Sequence, residues 1–140
     1  MSTENNTAVV RRFFAEVCNG RNVAVADELF AADHAYHDPF IATGPGPEGM
    51  KQVIAPYHAA FSDAHWTVEE TIDAGDTVVT RWTGSGTNDG ALPGIPATGK
   101  RVVVPAIWIH RLAGGKIVES WNNWDNLGML QQLGVVPALG

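Results

Sequence analysis

The feature that most limits the fold of this chain is a period-two hydrophobic pattern that begins near residue 65 and is interrupted by tight turns. "HWTVEETID" sets Trp66, Val68 and Ile72 on one side and His65, Thr67, Glu69 and Thr71 on the other, the pattern of a half-buried strand. "AGD" at 74–76 turns the chain into a second strand, "TVVTRWTGSGT". After the Gly/Pro loop "NDGALPGIPATGK" come a third strand, "RVVVPAIWIHRL", an "AGG" turn and a fourth, "KIVESWNNW". Consecutive hairpins imply an antiparallel sheet. The loop is long for a connection inside a compact domain, which makes it a candidate for function.

The first half has a different period. Val10, Phe13, Phe14 and Val17 mark one face of a helix over 7–19, with Gly20 suited to its C-terminal end. Asn22 is placed to cap a second short helix through Phe30, and "DHAYHDPF" reads as a short extended piece. Pro47 fits the first turn of a third helix, in which Met50, Val53, Ile54, Tyr57 and Phe61 keep helical spacing and Pro56 introduces a bend. "DNLGMLQQLG" closes the chain as a short helix that Asp125 can cap, with Leu127, Leu130 and Leu133 facing inward. Helices gathered ahead of hairpins imply the α+β class. A long twisted sheet is expected to curl around the three N-terminal helices as a conical barrel, with a cavity between the two layers.

With 140 residues the chain fits one domain, taken as 1–140. A net charge of −6 without a Lys/Arg run argues against nucleic acid and anionic membrane as partners. The lone Cys18 allows no intrachain disulfide and reads as a small core residue. No apolar run is long enough to span a bilayer, and the first residues lack a signal-peptide block, so a cytoplasmic location is expected. His34, His37 and Asp38 lie too close together on one segment to supply a metal set by themselves, and no metal site is expected.

Chemistry concentrates in "ESWNNWDNLGMLQQLG", where a carboxylate stands among aromatic rings. Alternate strand residues share a face, so Trp121, Asn123 and Asp125 lie together. On the preceding strand Trp108 and His110 share a face, and hairpin pairing can bring it beside Asp125. The sequence does not decide which face looks inward. In an apolar cavity the Asp125 carboxyl would be pushed up and become a better base. His110 and Asn123 are candidate donors to an enolate oxygen, and Trp108, Trp121, Trp124 and Trp82 candidate walls for a flat ligand. Each has a plainer reading. Asp125 can simply cap the last helix, His110 can be a satisfied strand histidine, Arg81 can pair with a surface glutamate, and the tryptophans can be core.

The pieces "HDP" at 37–39, "GPEGMKQ" at 46–52, "AAFSDAHWTVEE" at 59–70, "GDTVVTRWTGSGT" at 75–87, "GIPATGK" at 94–100, "GGKIVESW" at 114–121 and "WDNLGMLQQLGVVP" at 124–137 occur in an order and spacing that resembles the SnoaL-like polyketide cyclases of the nuclear transport factor 2-like superfamily. The resemblance implies a homodimer with a deep apolar pocket. It also implies ring closure by intramolecular aldol reaction on a small apolar or aromatic polycarbonyl compound, without metal or cofactor. It places an acid/base aspartate at Asp125 and pairs it with a histidine, for which His110 is the match; it puts His37 at the pocket mouth. Where the family often reads Gly-Thr-His, this chain has Gly86-Thr87-Asn88. The expected site is therefore Asp125 and His110 as catalytic residues, with Asn123, Trp108, Trp121, Arg81, His37 and Trp82 around the substrate. The alternatives are another cofactor-free reaction on this scaffold (isomerase, dehydratase or epoxide hydrolase) and a binding module without turnover. The epoxide hydrolase reading wants aspartates where Thr83 and Asn123 stand.

Overall fold

The structure is a computed structural model that describes residues 3–137. Helix α1 (Thr3–Arg12) runs on through a widened π turn (Phe13–Asn19) that buries Phe13, Phe14, Val17 and Cys18 together. Gly20 ends it for want of space. A Cβ there would stand 2.7 Å from the Glu16 carbonyl oxygen, whereas the left-handed backbone position falls on Arg21. The expected second helix is shorter than its pattern. It comprises a 3-10 turn (Val23–Val25) and α2 (Ala26–Leu29), and Asn22 makes no side-chain cap. Phe30 already opens β1 (Phe30–His37). Helix α3 (Gly46–Ala60) has Pro47 in its first turn and Pro56 inside it, and buries Met50, Val53 and Ile54.

The strands β2 (His65–Ala74), β3 (Thr77–Thr87), β4 (Arg101–Ala113) and β5 (Lys116–Trp124) pair antiparallel as the hairpins require. β1 joins parallel to β5, so the sheet is mixed at one edge and runs β1-β5-β4-β3-β2. It is curved but open; β1 and β2 are its edges, and the expected barrel does not close. Helix α4 (Asn126–Leu133) buries Met129 and Leu133 and leaves Leu127 exposed, contrary to its leucine spacing.

Two β-bulges decide which side chains face inward. In β2 the register slips by one residue between Val68 and Glu70. Trp66 is buried, but beyond the slip Ile72 pairs with Val79 on the outer face and is half exposed. In the β4–β5 hairpin Leu112 pairs with Ile117, yet Arg111 pairs with Glu119, which leaves Val118 as the extra residue. Beyond Val118 the partners of His110 and Trp108 are Ser120 and Asn122. A one-residue slip exchanges the two faces of a strand. Ser120 and Asn122 therefore turn inward, while Trp121 and Asn123 stand opposite Ile109 and Ile107 on the outer face.

The 88–100 loop is held by Asn88, which is fully buried. Its Oδ1 accepts from the backbone N–H and the hydroxyl of Thr98, and its Nδ2 donates to the Gly90 carbonyl. Leu92 from this loop joins Phe61, Val102, Val104, Met129 and Leu133 in a small apolar cluster. The loop is built into the fold at this end of the sheet.

Two histidines are sealed in the main core. His34 holds Ser120 Oγ at 2.8 Å through Nε2. His110 packs against Phe13, Phe14 and Trp108, and neither of its ring nitrogens has a hydrogen-bond partner among the described residues. Burial pushes His34 down to about 4 and His110 to about 3. Glu119 opposes the shift at His34 and His37 adds to it, while His34 adds to the shift at His110. Both rings fold neutral, below an unfolded value of about 6.5, so the stability they carry is fully present above that value and is lost as pH falls toward 4. Thermal unfolding midpoints should stay level above pH 7 and drop below pH 6, each histidine contributing at most about 1.4 kcal/mol per pH unit. His110→Phe should flatten that descent; an unchanged slope would show that His110 does not fold neutral.

Candidate functional site

Between the concave face of the sheet and α3 lies a cavity with about 610 Å³ of empty space, counted to its open mouth. Its walls follow from the register. Inward positions of β2, β3 and β4 supply Trp66, Trp82 and Trp108, and the end of β5 supplies Trp124. Val53, Ile54 and Tyr57 come from α3, while Val102, Val104 and Met129 close the far end. Trp82 and Trp108 lie with ring centres 5.8 Å apart, tilted by 36°.

Three polar groups, Tyr36, Asp38 and Asn122, gather at one end. Asp38, just beyond β1, is the only carboxylate among the residues that line the cavity. Its Oδ2 accepts from the Tyr36 hydroxyl at 2.5 Å and from Trp124 Nε1 at 3.1 Å. Its Oδ1 accepts from the backbone N–H groups of Phe40 and Ile41, at 2.7 and 3.1 Å, a turn in which the aspartate side chain stands in for a backbone carbonyl. The "HDP" motif thus builds this turn, with Pro39 at its corner. Asn122 Nδ2 donates to the Tyr36 oxygen at 3.2 Å. The chain of donors therefore runs from amide to phenol to carboxylate. Burial, reinforced by Asp38, holds the Tyr36 phenol well above the usual range, so it stays protonated. His65 and Ser85 complete the lining on the side of the edge strand.

Of the residues expected from the sequence, Trp108, Trp82 and Trp124 line the cavity. Asp125 does not. It is exposed at the start of α4, where Oδ1 accepts from the Gly128 N–H at 2.9 Å. Gly128 leaves room for that carboxylate; a Cβ there would collide with it. The expectation of a base in a dry hollow at Asp125 is corrected to a helix cap, a contact worth about 1 kcal/mol. His110 is sealed in the core behind Trp108 and is not part of the lining. Asn123 and Trp121 face outward because of the Val118 bulge. His37 is exposed; its ring stacks on Trp121 and its Nε2 lies 2.7 Å from Glu119. Arg81 is exposed and pairs with Glu70 at 3.3 Å. These six are thus not brought together with the cavity tryptophans. The groups that are, Tyr36, Asp38, Tyr57, Asn122 and Trp66, had weaker signals. Asp38 was visible in "HDP", but as one of three adjacent metal-type residues.

Among the described residues no group of three or more His, Cys, Asp or Glu side chains is placed to hold a metal ion, and no helix is long and apolar enough to cross a membrane.

Comparison with known proteins agrees with this architecture. TsrD from Streptomyces laurentii is 28% identical and superposes with a TM-score of 0.85, the match covering 95% of this chain and 97% of TsrD. IdmH from Streptomyces antibioticus, a candidate polyketide cyclase, is 31% identical with a TM-score of 0.78 over 91% of this chain and 97% of its own. A candidate polyketide cyclase from Acidithiobacillus ferrooxidans is 26% identical with a TM-score of 0.83, over 94% of this chain and 95% of its own. No curated protein matches the sequence. The family pattern described as SnoaL-like polyketide cyclase matches residues 8–133. With nine-tenths of its length inside that pattern, this chain belongs to the SnoaL-like polyketide cyclase family.

Proposed function

We propose that this protein is a cyclase that closes a ring in a polycarbonyl substrate by intramolecular aldol addition, with Asp38 as its acid/base. The observation that carries the reading is a single carboxylate in the lining of a cavity walled largely by aromatic and aliphatic side chains. In this reading Asp38 Oδ2 takes a proton from a methylene between two carbonyls, and the C–H electron pair enters the enolate. The enolate carbon then attacks a second carbonyl carbon of the same molecule. A C–C bond forms, the carbonyl π pair becomes an alkoxide, and Asp38 returns the proton. Nothing is oxidised or reduced. Tyr36, protonated and bonded to Asp38, can turn its O–H to the enolate oxygen. The tryptophan walls hold the chain folded on itself, a contribution of about 7–11 kcal/mol when orientation is good. Asp125 and His110 have no step here, one being a surface cap and the other sealed in the core.

The alternative is a binding module without turnover. It is favoured by the four donors that already converge on Asp38 and would serve to fix the cavity rim. Deuterium exchange at the activated methylene of 2-tetralone in D₂O, followed by NMR, separates the two. The protein should accelerate exchange, Asp38→Asn should lower that acceleration on the order of a hundredfold, and Asp125→Asn should retain it. Acceleration that survives Asp38→Asn removes the proposed base. Binding of tetralone without exchange supports the binding module.

The outer sheet face supports a homodimer. Ile72, Val79, Ile109 and Trp121 form one cross-strand row, with Ile107 and Val103 exposed beside it. The charges around the row, Arg81 with Glu70 and Arg111 with Glu119, are paired within the chain. That leaves a neutral apolar centre suited to a second copy related by a two-fold axis. Sedimentation equilibrium should give twice the chain mass, and Ile107→Glu should give the monomer; a dimer that tolerates the glutamate contradicts this face.

A further inference from the structure

Two polar groups at the cavity have no task in the reaction above. Asn122 is 6% exposed, and its Oδ1 is buried with no hydrogen-bond partner among the described residues. The amide orientation follows from chemistry. The phenol proton of Tyr36 goes to Asp38, so the phenol oxygen offers lone pairs to an N–H, and the carbonyl oxygen of Asn122 is the atom left over. Tyr57, on α3, packs edge-on against Trp124 with ring centres 6.1 Å apart. Its hydroxyl has no hydrogen-bond partner among the described residues, although it lies within the field of Asp38. Burial, with Asp38 adding to it, keeps that phenol protonated and therefore a donor. The cavity lining thus includes an acceptor, Asn122 Oδ1, and a donor, the Tyr57 hydroxyl, that no described side chain uses.

We propose that Asn122 Oδ1 and the Tyr57 hydroxyl are specificity-determining contacts for the substrate's oxygens. Asn122 accepts from an enol or phenol O–H, and Tyr57 donates to a ketone oxygen. The ligand class is a flat, at least bicyclic aryl or enolised polyketone that carries both functions. This rests on the reading that the cavity is the ligand site. A ligand without the O–H leaves Asn122 Oδ1 unpaired, and one without the ketone covers the Tyr57 hydroxyl and gives it no acceptor. Sites of this kind reject the deficient analogue more strongly than apolar pockets reject a methylene.

The test is the affinity of naphthalene, 2-naphthol and 2-acetylnaphthalene, read by quenching of tryptophan fluorescence, for the wild type, Asn122→Leu and Tyr57→Phe. Asn122→Leu should weaken 2-naphthol by about three- to tenfold and leave the other two unchanged. Tyr57→Phe should weaken 2-acetylnaphthalene by a similar factor and leave naphthalene and 2-naphthol unchanged. Asn122→Val replaces the leucine variant if that side chain overfills the wall. Loss of all three ligands together, or no selective loss in either variant, overturns the proposal and leaves the cavity as a ligand site. Failure of every probe to bind the wild type overturns both.

Discussion

One extra residue in the last hairpin, Val118, determines what this protein can do. The register that starts at the Gly114-Gly115 turn, with Leu112 opposite Ile117, would have set Trp108 against Trp121 and His110 against Glu119. It would have driven the Glu119 carboxylate into an aromatic core, at a cost no neighbour there repays. With Val118 accommodated as a bulge, the small Ser120 meets the buried histidines instead, and Glu119 moves to the outer face between Arg111 and His37. The same step carries Asn122 and Trp124 inward and Asn123 outward. The polar end of the cavity exists because of that exchange.

Asp38 is the second element on which the site depends. Its carboxylate closes a turn through Oδ1 and gathers Tyr36 and Trp124 through Oδ2. The turn ties β1 to the end of β5, strands already paired in parallel. The same four contacts that hold the sheet edge in place fix the position of a charge at the mouth of an apolar cavity. The carboxylate that would act as base in the proposed reaction is also a structural one. The adjacent phenols stay protonated, and Tyr36 donates its proton to Asp38.

Much of the fold was legible because it rests on periodicity. The four antiparallel strands, α3 with Pro47 in its first turn, and the Asp125 cap of α4 follow from local patterns that tertiary packing did not override. The parallel pairing of β1 was not legible, since nothing in "FAADHAYH" names a partner more than eighty residues away. The site was legible only in part. Trp82, Trp108 and Trp124 do line the cavity, whereas Asp125, His110, Asn123, Trp121, Arg81 and His37 do not. Strict alternation carries face assignments along a strand only while the register holds, and a bulge leaves no signature at Val118 or Glu69 that distinguishes it from an ordinary strand residue. Tyr57 reads from its spacing only as part of the apolar face of a helix, yet α3 forms one wall of the cavity.

The central claim is that the inner face of β5 carries Asn122 and that this face holds the ligand. Side-chain amide resonances of Asn122 and Asn123 in a ¹⁵N correlation spectrum, recorded while naphthalene is titrated into the protein, test it directly. The Asn122 pair should move with saturation while the Asn123 pair stays fixed. Movement at Asn123 with Asn122 unaffected would contradict the register and, with it, the cavity chemistry built on Asp38.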